Sequence, residues 1–282
     1  MTETLSQIPD AQRLYLKAAT TLTRRPQGQP ALPALEVRVC DVAVDGRHLA
    51  DYREVCGFAE SQTLPITFPH VMAGALHLHL LTQKPFPFPL LGLVHIRNDI
   101  RQSRALRADE RFDVHVRIGE SRAVRQGIEF DLLTEVASGG EPVWTETSTI
   151  LHRIPGPKSQ VPRPAPAPAA LADYRSFTAP ADIGRRYARV GRDYNPIHLA
   201  PLPAKLFGFK RHIAHGMWSL ARCAALLQPE LGHEPQALSV QFKQPLFLPG
   251  RVALRFTREE DGFAFALLSS RSDKIHLTGA LR

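Results

Sequence analysis

The sequence predicts an α+β protein built from two similar halves, each with one apolar helix followed by four antiparallel strands. Three observations predict it. Apolar residues at helical spacing occur once in each half, segments of alternating apolar residues follow both helices, and a proline-rich segment separates the halves. We expect one continuous sheet wrapped around two central helices. Short extended segments alone would also fit a β-sandwich, but the recurring helix favours the α+β arrangement.

The second half contains a helix in "IAHGMWSLARCAALL", where apolar residues share one face. That face comprises Met217, Leu220, Ala221, Ala224 and Leu227. Strand-like alternation follows in "ALSVQF", "RVALRF", "GFAFALLSS" and "IHLTGALR". Pro249-Gly250 and Asp261-Gly262 supply turn residues between these segments.

The first half repeats this pattern. Its helix lies in "PHVMAGALHLHLL", with one face formed by Met72, Ala75, Leu76, His79 and Leu80. Four strand-like segments follow, namely "LLGLVHI", "ERFDVHVRI", "IEFDLLTEVA" and "VWTETSTILHR". The repetition indicates an internal duplication.

Between the halves the chain reads "PGPKSQVPRPAPAP", in which six of fourteen residues are proline. Proline lacks a backbone donor and disfavours helix in the preceding residue, so we predict an extended surface linker. A disordered loop inside one domain is the alternative. The predicted organisation is a first half at 1–154, a linker at 155–172 and a second half at 173–282.

Composition excludes several classes of protein. No apolar run approaches the ~18–20 residues that span a bilayer, and the N-terminus does not resemble a secretory signal. The three cysteines are widely spaced and odd in number, which argues against a disulfide scaffold or zinc knuckle and favours the cytoplasm. The net charge of +8 suits acidic partners, although the basic residues are scattered and form no nucleic-acid-binding signature.

Candidate chemistry lies in "RDYNPIH", from Arg192 to His198. Pro196 favours a helix end and a bend here, across which Asp193 and His198 could reach one water molecule. A carboxylate and an imidazole make a plausible acid/base pair, which the Asn195 amide could orient. The same residues are also ordinary turn formers, so a purely structural role is the alternative.

A second feature follows at His215-Gly216, where the apolar helix begins. A helix N-terminus presents free N–H groups and the positive end of the helix dipole. Gly216 would let a ligand approach the backbone closely. Such a site can hold a carbonyl oxygen as negative charge develops on it.

These residues also resemble those of a known family. The chain supplies Asp193, Asn195, Pro196, Ile197, His198, Ala204, Gly208, Phe209 and Ala214-His215-Gly216-Met217. This stretch resembles the hydratase/dehydratase signature of the MaoC-like enzymes, the (R)-specific enoyl-thioester hydratases of the hot-dog fold. A weaker resemblance extends over the whole chain as a double hot-dog.

The resemblance implies a function for the matched residues. Asp193 and His198 would be the catalytic pair, and the Gly216 amide would donate to the thioester oxygen. We also expect Asn195 and His215 to bind substrate, beside Gly216. The reaction would be the reversible hydration of trans-2-enoyl thioesters to (R)-3-hydroxyacyl thioesters, as in fatty acid metabolism. The family usually has glycine directly before the aspartate, where this chain has Arg192.

The first half lacks the motif, although Tyr52 and His70 echo Tyr187 and His215. The resemblance implies that this half is non-catalytic and accommodates the acyl chain. That it merely completes the sheet is an equally good interpretation.

Two other functions stay open, a hot-dog acyl-thioesterase and a non-catalytic acyl-thioester-binding subunit. We expect no metal and no redox cofactor, since His77-x-His79 and His212-x-x-His215 lack further ligands at suitable spacing. The expected partner is a thioester of coenzyme A or acyl carrier protein. A homodimer fits the expectation, whereas nucleic acid and membrane do not.

Overall fold

The fold is described by a computed structural model for residues 2–26, 28, 30–154, 173–272 and 274–282. Within these residues, eleven strands form one sheet. The strands are β1 (Glu3–Leu5), β2 (Glu36–Ala43), β3 (Leu93–Gln102), β4 (Arg111–Val124), β5 (Gly127–Ser138), β6 (Glu141–Arg153), β7 (Asp173–Ala179), β8 (Ala237–Phe242), β9 (Gly250–Glu259), β10 (Gly262–Ser269) and β11 (Ile275–Leu281). The helices are α1 (Ala11–Thr20), α2 (Gly46–Cys56), α3 (Phe68–Thr82), α4 (Ile183–Gly191), α5 (Pro196–Leu199), α6 (Pro201–Leu206) and α7 (Gly216–Leu231), with a 3₁₀ turn at Thr21–Thr23.

The two halves share this sheet. Its strand order is β1-β2-β4-β5-β6-β3-β8-β11-β10-β9-β7, so the halves meet where β3 pairs with β8. That pair is antiparallel, with Asn98 opposite Val240 and Ile100 opposite Leu238. The predicted continuous sheet is therefore confirmed.

The two apolar helices lie in the core. Twelve of the fifteen residues of α3 and ten of the sixteen of α7 are buried, as expected for helices that are apolar on most sides. The predicted faces are buried except at His79, whose Nε2 lies 2.8 Å from Glu3 Oε2 in β1. Among the described residues, no helix is both long and apolar enough to cross a membrane.

Each half contains more strands than the predicted four. β1 and β2 precede α3 in the first half, and β7 precedes α7 in the second. β7 lies at the edge of the sheet beside β9, and most of its residues are exposed. An edge strand of this kind buries no continuous face, so its sequence lacks the alternation that marks a half-buried strand.

The predicted linker at 155–172 lies outside the described residues, so the domain boundaries stay a prediction. The strands on either side of it are not neighbours in the sheet. β6 ends at Arg153 between β5 and β3, whereas β7 begins at Asp173 on the far edge.

Candidate active site

The motif lies in the connection between α4 and α7. α4 ends at Gly191, and Arg192 follows in the left-handed conformation with φ of 54°. Asn195 then caps α5, since its Oδ1 accepts from the Ile197 N–H at 3.4 Å, and Pro196 occupies the first turn. The predicted helix end near Arg192 is confirmed.

Three side chains of this region meet at one point. Asp193, His198 and His215 each place a carboxylate oxygen or a ring nitrogen within 4.8 Å of the others. The rings of His198 and His215 stack with their centroids 3.7 Å apart. His215 Nε2 donates to the Asp193 backbone carbonyl at 3.0 Å and lies 3.8 Å from Asp193 Oδ2. The structure thus brings the predicted pair together, with His215 packed against both members.

One ring nitrogen of His198 hydrogen-bonds to the backbone, and the other is available for proton transfer. Its Nδ1 donates to the Ile213 carbonyl at 2.9 Å, which fixes the neutral tautomer with the proton on Nδ1. Burial lowers the pKa of His198, and the nearby Asp193 carboxylate only partly opposes this. The imidazole is therefore neutral near pH 7, with a lone pair on Nε2 that can accept a proton.

The Asp193 carboxylate is held at one oxygen. Its Oδ1 accepts from Tyr15 Oη at 2.5 Å and from the Asn195 N–H at 3.1 Å. Partial burial raises the pKa of Asp193, but the neighbouring His215 and His198 and these two hydrogen bonds outweigh it, so the pKa lies below its usual range. The side chain is 40% exposed. Oδ2 is therefore the oxygen left to meet a water molecule or a substrate.

Tyr15 is a site residue that sequence reasoning missed. It lies on α1, 178 residues before Asp193, and its ring packs edge-on against Tyr194 at 6.2 Å between centroids. Burial, and then the Asp193 charge, raises the pKa of the phenol, so the hydroxyl stays protonated and donates. No motif surrounds Tyr15 in the sequence. Only the packing of α1 against the motif loop reveals its contact.

Asn195 orients the pair in a different way from the one predicted. Its side-chain amide caps α5 and makes no hydrogen bond to Asp193 or His198 among the described residues. Its backbone N–H holds Asp193 instead. An asparagine is thus needed at position 195 for the helix cap. The backbone N–H that orients Asp193 could be supplied by any residue except proline.

Gly216 opens α7, as predicted. Its N–H has no hydrogen-bond acceptor among the described residues, and the N-cap residue His215 provides no side-chain cap. A Cβ atom at residue 216 would lie 2.9 Å from Cε1 of the Phe242 ring. Packing against Phe242 therefore explains the glycine, while the free N–H at the helix start can face developing negative charge.

The first half contains a buried polar cluster that joins α3 to β3 and β6. His70 Nδ1 and Asn98 Nδ2 both donate to Glu146 Oε1, at 2.7 and 2.6 Å. Burial opposes both charges, yet the contact raises the pKa of His70 and lowers that of Glu146 to about 2. The first half thus carries a buried ion pair, a feature that the sequence pattern did not predict.

Two groups of described residues each bring three potential metal ligands within 4.8 Å. They are His70, His77 and Glu146 in the first half, and Asp193, His198 and His215 in the second. Of the histidine pairs weighed in the sequence, His79 contacts Glu3 and His212 Nε2 donates to the Ala181 carbonyl at 2.8 Å. That the chain needs no metal stays a prediction.

Comparison with known proteins gives the family. The family described as "MaoC like domain" matches residues 161–278. Over 260 residues the chain is 34% identical to 3-hydroxyacyl-thioester dehydratase X of Mycobacterium tuberculosis, which covers 89% of this chain and 90% of that protein. The chain belongs to the MaoC-like dehydratase family. The predicted resemblance is therefore confirmed at the level of the family.

Solved structures of this MaoC-like family agree with the fold. The crystal structure of HtdX of M. tuberculosis has a TM-score of 0.76 at 32% identity, covering 88% of this chain and 99% of that chain. A MaoC-like dehydratase of Phytophthora capsici has a TM-score of 0.74 at 18% identity, covering 89% of this chain and 95% of that chain. The predicted double hot-dog is confirmed by these likenesses.

The left-handed conformation of Arg192 gives a physical reason for the glycine usual in the family. A side chain in this conformation is unfavourable by about 1–2 kcal/mol relative to ordinary helix geometry, a penalty that glycine avoids. We expect Arg192→Gly to be more stable than Arg192→Ala by about 1 kcal/mol, because both remove the side chain and only one removes the strain. Urea unfolding of the two variants measures the difference. An alanine variant at least as stable as the glycine variant would contradict it.

The Tyr15 hydrogen bond should be visible in the pH dependence of the reaction. This bond favours the charged form of Asp193, so Tyr15→Phe should raise the pKa of Asp193. The acid limb of the kcat/KM profile should then move to higher pH, since the carboxylate is lost at a higher pH. Tyr174→Phe, at a tyrosine that is 68% exposed, is the control and should leave the limb in place. An unmoved limb in Tyr15→Phe would mean that Asp193 ionisation does not govern it.

Proposed function

We propose that this chain catalyses the reversible hydration of trans-2-enoyl thioesters to (R)-3-hydroxyacyl thioesters, with Asp193 and His198 as the acid/base pair. Hydratase/dehydratase activity on acyl thioesters follows from its membership of the MaoC-like family and from the related thioester dehydratase. The single observation that carries the proposal is the meeting of Asp193, His198 and His215 immediately before the free N–H of Gly216.

One water molecule between Asp193 and His198 would be the nucleophile. Asp193 Oδ2 and His198 Nε2 are both acceptors, so a water that donates to each turns its oxygen lone pair outward, towards C3 of the enoyl group. As the C3–O bond forms, one of the two acceptors takes the proton of the water. The same group can then deliver a proton to C2, so the pair ends the cycle in its starting state.

The other end of the conjugated system needs a donor. Attack at C3 moves the π electrons towards the thioester oxygen, which gains enolate-like negative charge. We propose that the Gly216 N–H at the start of α7 donates a hydrogen bond to this oxygen and stabilises its charge, aided by the positive end of the helix dipole. Dehydration is the reverse sequence, in which the pair removes the C2 proton and protonates the departing hydroxyl.

The rival functions receive less support from the site. A thioesterase must direct water at the thioester carbonyl carbon instead of C3, and the relative that is 34% identical to this chain is named a dehydratase. A binding subunit would not need a buried neutral imidazole with a free lone pair beside an ionised carboxylate. The proposed reaction requires no metal and no redox cofactor, and its substrate handle is coenzyme A or a carrier protein.

Product analysis with a trans-2-enoyl-CoA tests the proposal. We expect a 3-hydroxyacyl-CoA of R configuration, resolved by chiral chromatography after hydrolysis. Release of free CoA would identify a thioesterase, and binding without turnover would identify a non-catalytic subunit. Either result would refute the proposed hydration.

A further inference from the structure

We infer that the polar cluster of the first half binds a hydroxyl group carried on the acyl chain of the substrate. The cluster comprises His70 on α3, His95 and Asn98 on β3, and Glu146 on β6. The inference rests on the proposed function and extends it by naming a class of acyl group. Hydroxylated enoyl thioesters would then be better substrates than plain hydrocarbon ones.

Three polar atoms of the cluster have no partner in the part of the chain that the structure describes. Glu146 Oε2, Asn98 Oδ1 and His95 Nε2 are buried and make no hydrogen bond there. The Glu146 side chain is completely buried. An unpaired polar atom in the interior is unfavourable, most of all on a charged group. These three atoms are therefore available to a ligand.

The three atoms belong to one continuous wall. Asn98 Nδ2 donates to Glu146 Oε1 at 2.6 Å, which leaves Oδ1 as the unpaired atom of that amide. His70 Nδ1 contacts the same carboxylate oxygen at 2.7 Å. The His70 ring also stacks on the His95 ring, with 6.2 Å between the centroids. A single ligand group can therefore meet several members of the cluster.

The cluster lies next to the proposed catalytic groups. The His95 ring lies 5.2 Å from the Phe242 ring, and a Cβ atom at Gly216 would lie 2.9 Å from that same phenylalanine ring. One aromatic ring thus separates the cluster from the start of α7. Burial lowers the pKa of His70, but the Glu146 carboxylate and then the Asp193 carboxylate outweigh it, so the charge of Asp193 is felt at this ring.

The side of α3 that faces the motif is not closed by packing. His70 and Gly74, one turn apart, are two of the three residues of α3 that are not buried, and the His70 side chain is 17% exposed. A Cβ atom at Gly74 would lie 4.0 Å from the Gly191 carbonyl oxygen, at the end of α4. Asp193 follows two residues later and is 40% exposed. Exposed surface on both sides of this contact leaves room for an acyl chain.

The charges of the cluster favour a neutral hydroxyl group. Glu146, with a pKa of about 2, is ionised, and His70 balances its charge. An anionic group would face the carboxylate, and a hydrocarbon chain would leave the buried acceptors unpaired. A hydroxyl can donate to the Glu146 or Asn98 oxygen and can accept from the His95 ring.

The distance sets the position of the hydroxyl. The contacts of Phe242 place the His95 ring centre within about 10 Å of the start of α7, and an extended chain advances about 1.2 Å per bond. A terminal hydroxyl on an acyl chain of about eight carbons reaches that far.

A matched pair of substrates tests the inference, namely 8-hydroxy-trans-2-octenoyl-CoA and trans-2-octenoyl-CoA. We expect the wild-type kcat/KM for hydration to be at least about tenfold higher for the hydroxylated substrate, since a site that binds a hydroxyl rejects the analogue without it. The same comparison at six and ten carbons brackets the distance. In His70→Phe/Glu146→Met, apolar residues of similar size replace the ion pair, and the preference should reverse.

A second variant and a control accompany the test. Glu146→Gln keeps an oxygen that can accept from His70 and Asn98 but removes the charged acceptor, so it should stay folded and lose most of the preference. The control is His115→Phe/Glu36→Met, the same substitutions at a partly exposed pair 3.1 Å apart in the first half, which should keep the preference.

Two results would overturn the inference. One is equal kcat/KM for the hydroxylated and plain substrates at all three lengths in wild type, and the other is a preference that survives in both cluster variants. If wild type hydrated none of these substrates, the proposed function would fail. Calorimetric titration with 8-hydroxyoctanoyl-CoA and octanoyl-CoA would then decide the cluster by itself, because equal affinities refute it.

Discussion

Asp193→Asn and His198→Asn should each lower kcat/KM for hydration by about 10²–10⁴-fold while leaving the protein folded. The asparagine side chain at 193 keeps an oxygen that can accept from Tyr15 and Asn195 but cannot take up a proton. At 198, the asparagine amide can still donate to the Ile213 carbonyl, as Nδ1 does, but lacks the Nε2 lone pair. Steady-state kinetics with a trans-2-enoyl-CoA measure the loss.

A control variant and an unfolding measurement accompany this prediction. His233→Asn alters a histidine on the surface beyond the end of α7 and should remain at wild-type activity. Thermal unfolding of the three variants should stay cooperative. If either active-site variant retained turnover within about threefold of wild type, well below the effect of an acid/base group, the role assigned to that residue would be wrong.

Gly216→Ala should lower kcat/KM by about 10²-fold, the second largest effect that we expect. An alanine Cβ would lie 2.9 Å from the Phe242 ring, so either the ring or the start of α7 must move by several tenths of an ångström. Displacement of the helix start moves the N–H that we propose as the donor to the thioester oxygen. Kinetics on the CoA substrate measure the loss, and wild-type activity in Gly216→Ala would contradict the oxyanion role.

A second substitution distinguishes two reasons for a glycine at position 216, which are packing against Phe242 and close approach of the substrate. The three atoms nearest to the added Cβ all belong to Phe242. Gly216→Ala/Phe242→Leu should therefore regain most of the lost activity, with Phe242→Leu alone as the reference. If activity stays low in the double variant, the methyl group obstructs the substrate itself, which is the interpretation that the sequence first favoured.

The sequence predicted the central helices and most strands because each buries a continuous apolar face. α3 and α7 and the strands that follow them carry the 3.6- and 2-residue periods that such burial requires. β7 was not predicted, because it is an exposed edge strand without alternating apolar residues. The dense motif around Asp193 identified the second half as the functional one because its turn, cap and chemistry are all local in the sequence.

Contacts between distant segments could not be predicted in this way. Tyr15 reaches Asp193 across 178 residues, and no period or spacing relates the two. The same holds for the His70–Glu146 pair, which joins a helix to a strand 76 residues away. Asn195 shows a different limit, because its residue type suggests a role in orienting the catalytic pair, whereas its side chain caps α5. Motif residues mark the place of a site more reliably than they assign each role within it.

The most direct test of the central claim is a crystal structure of Asp193→Asn with a bound trans-2-enoyl-CoA. We predict the thioester oxygen within hydrogen-bonding distance of the Gly216 N–H, and C3 of the acyl group facing His198 Nε2 and the side chain at 193. A thioester oxygen that points away from the start of α7, or a C3 atom that lies beside His70 and Glu146 instead of His198, would contradict the mechanism.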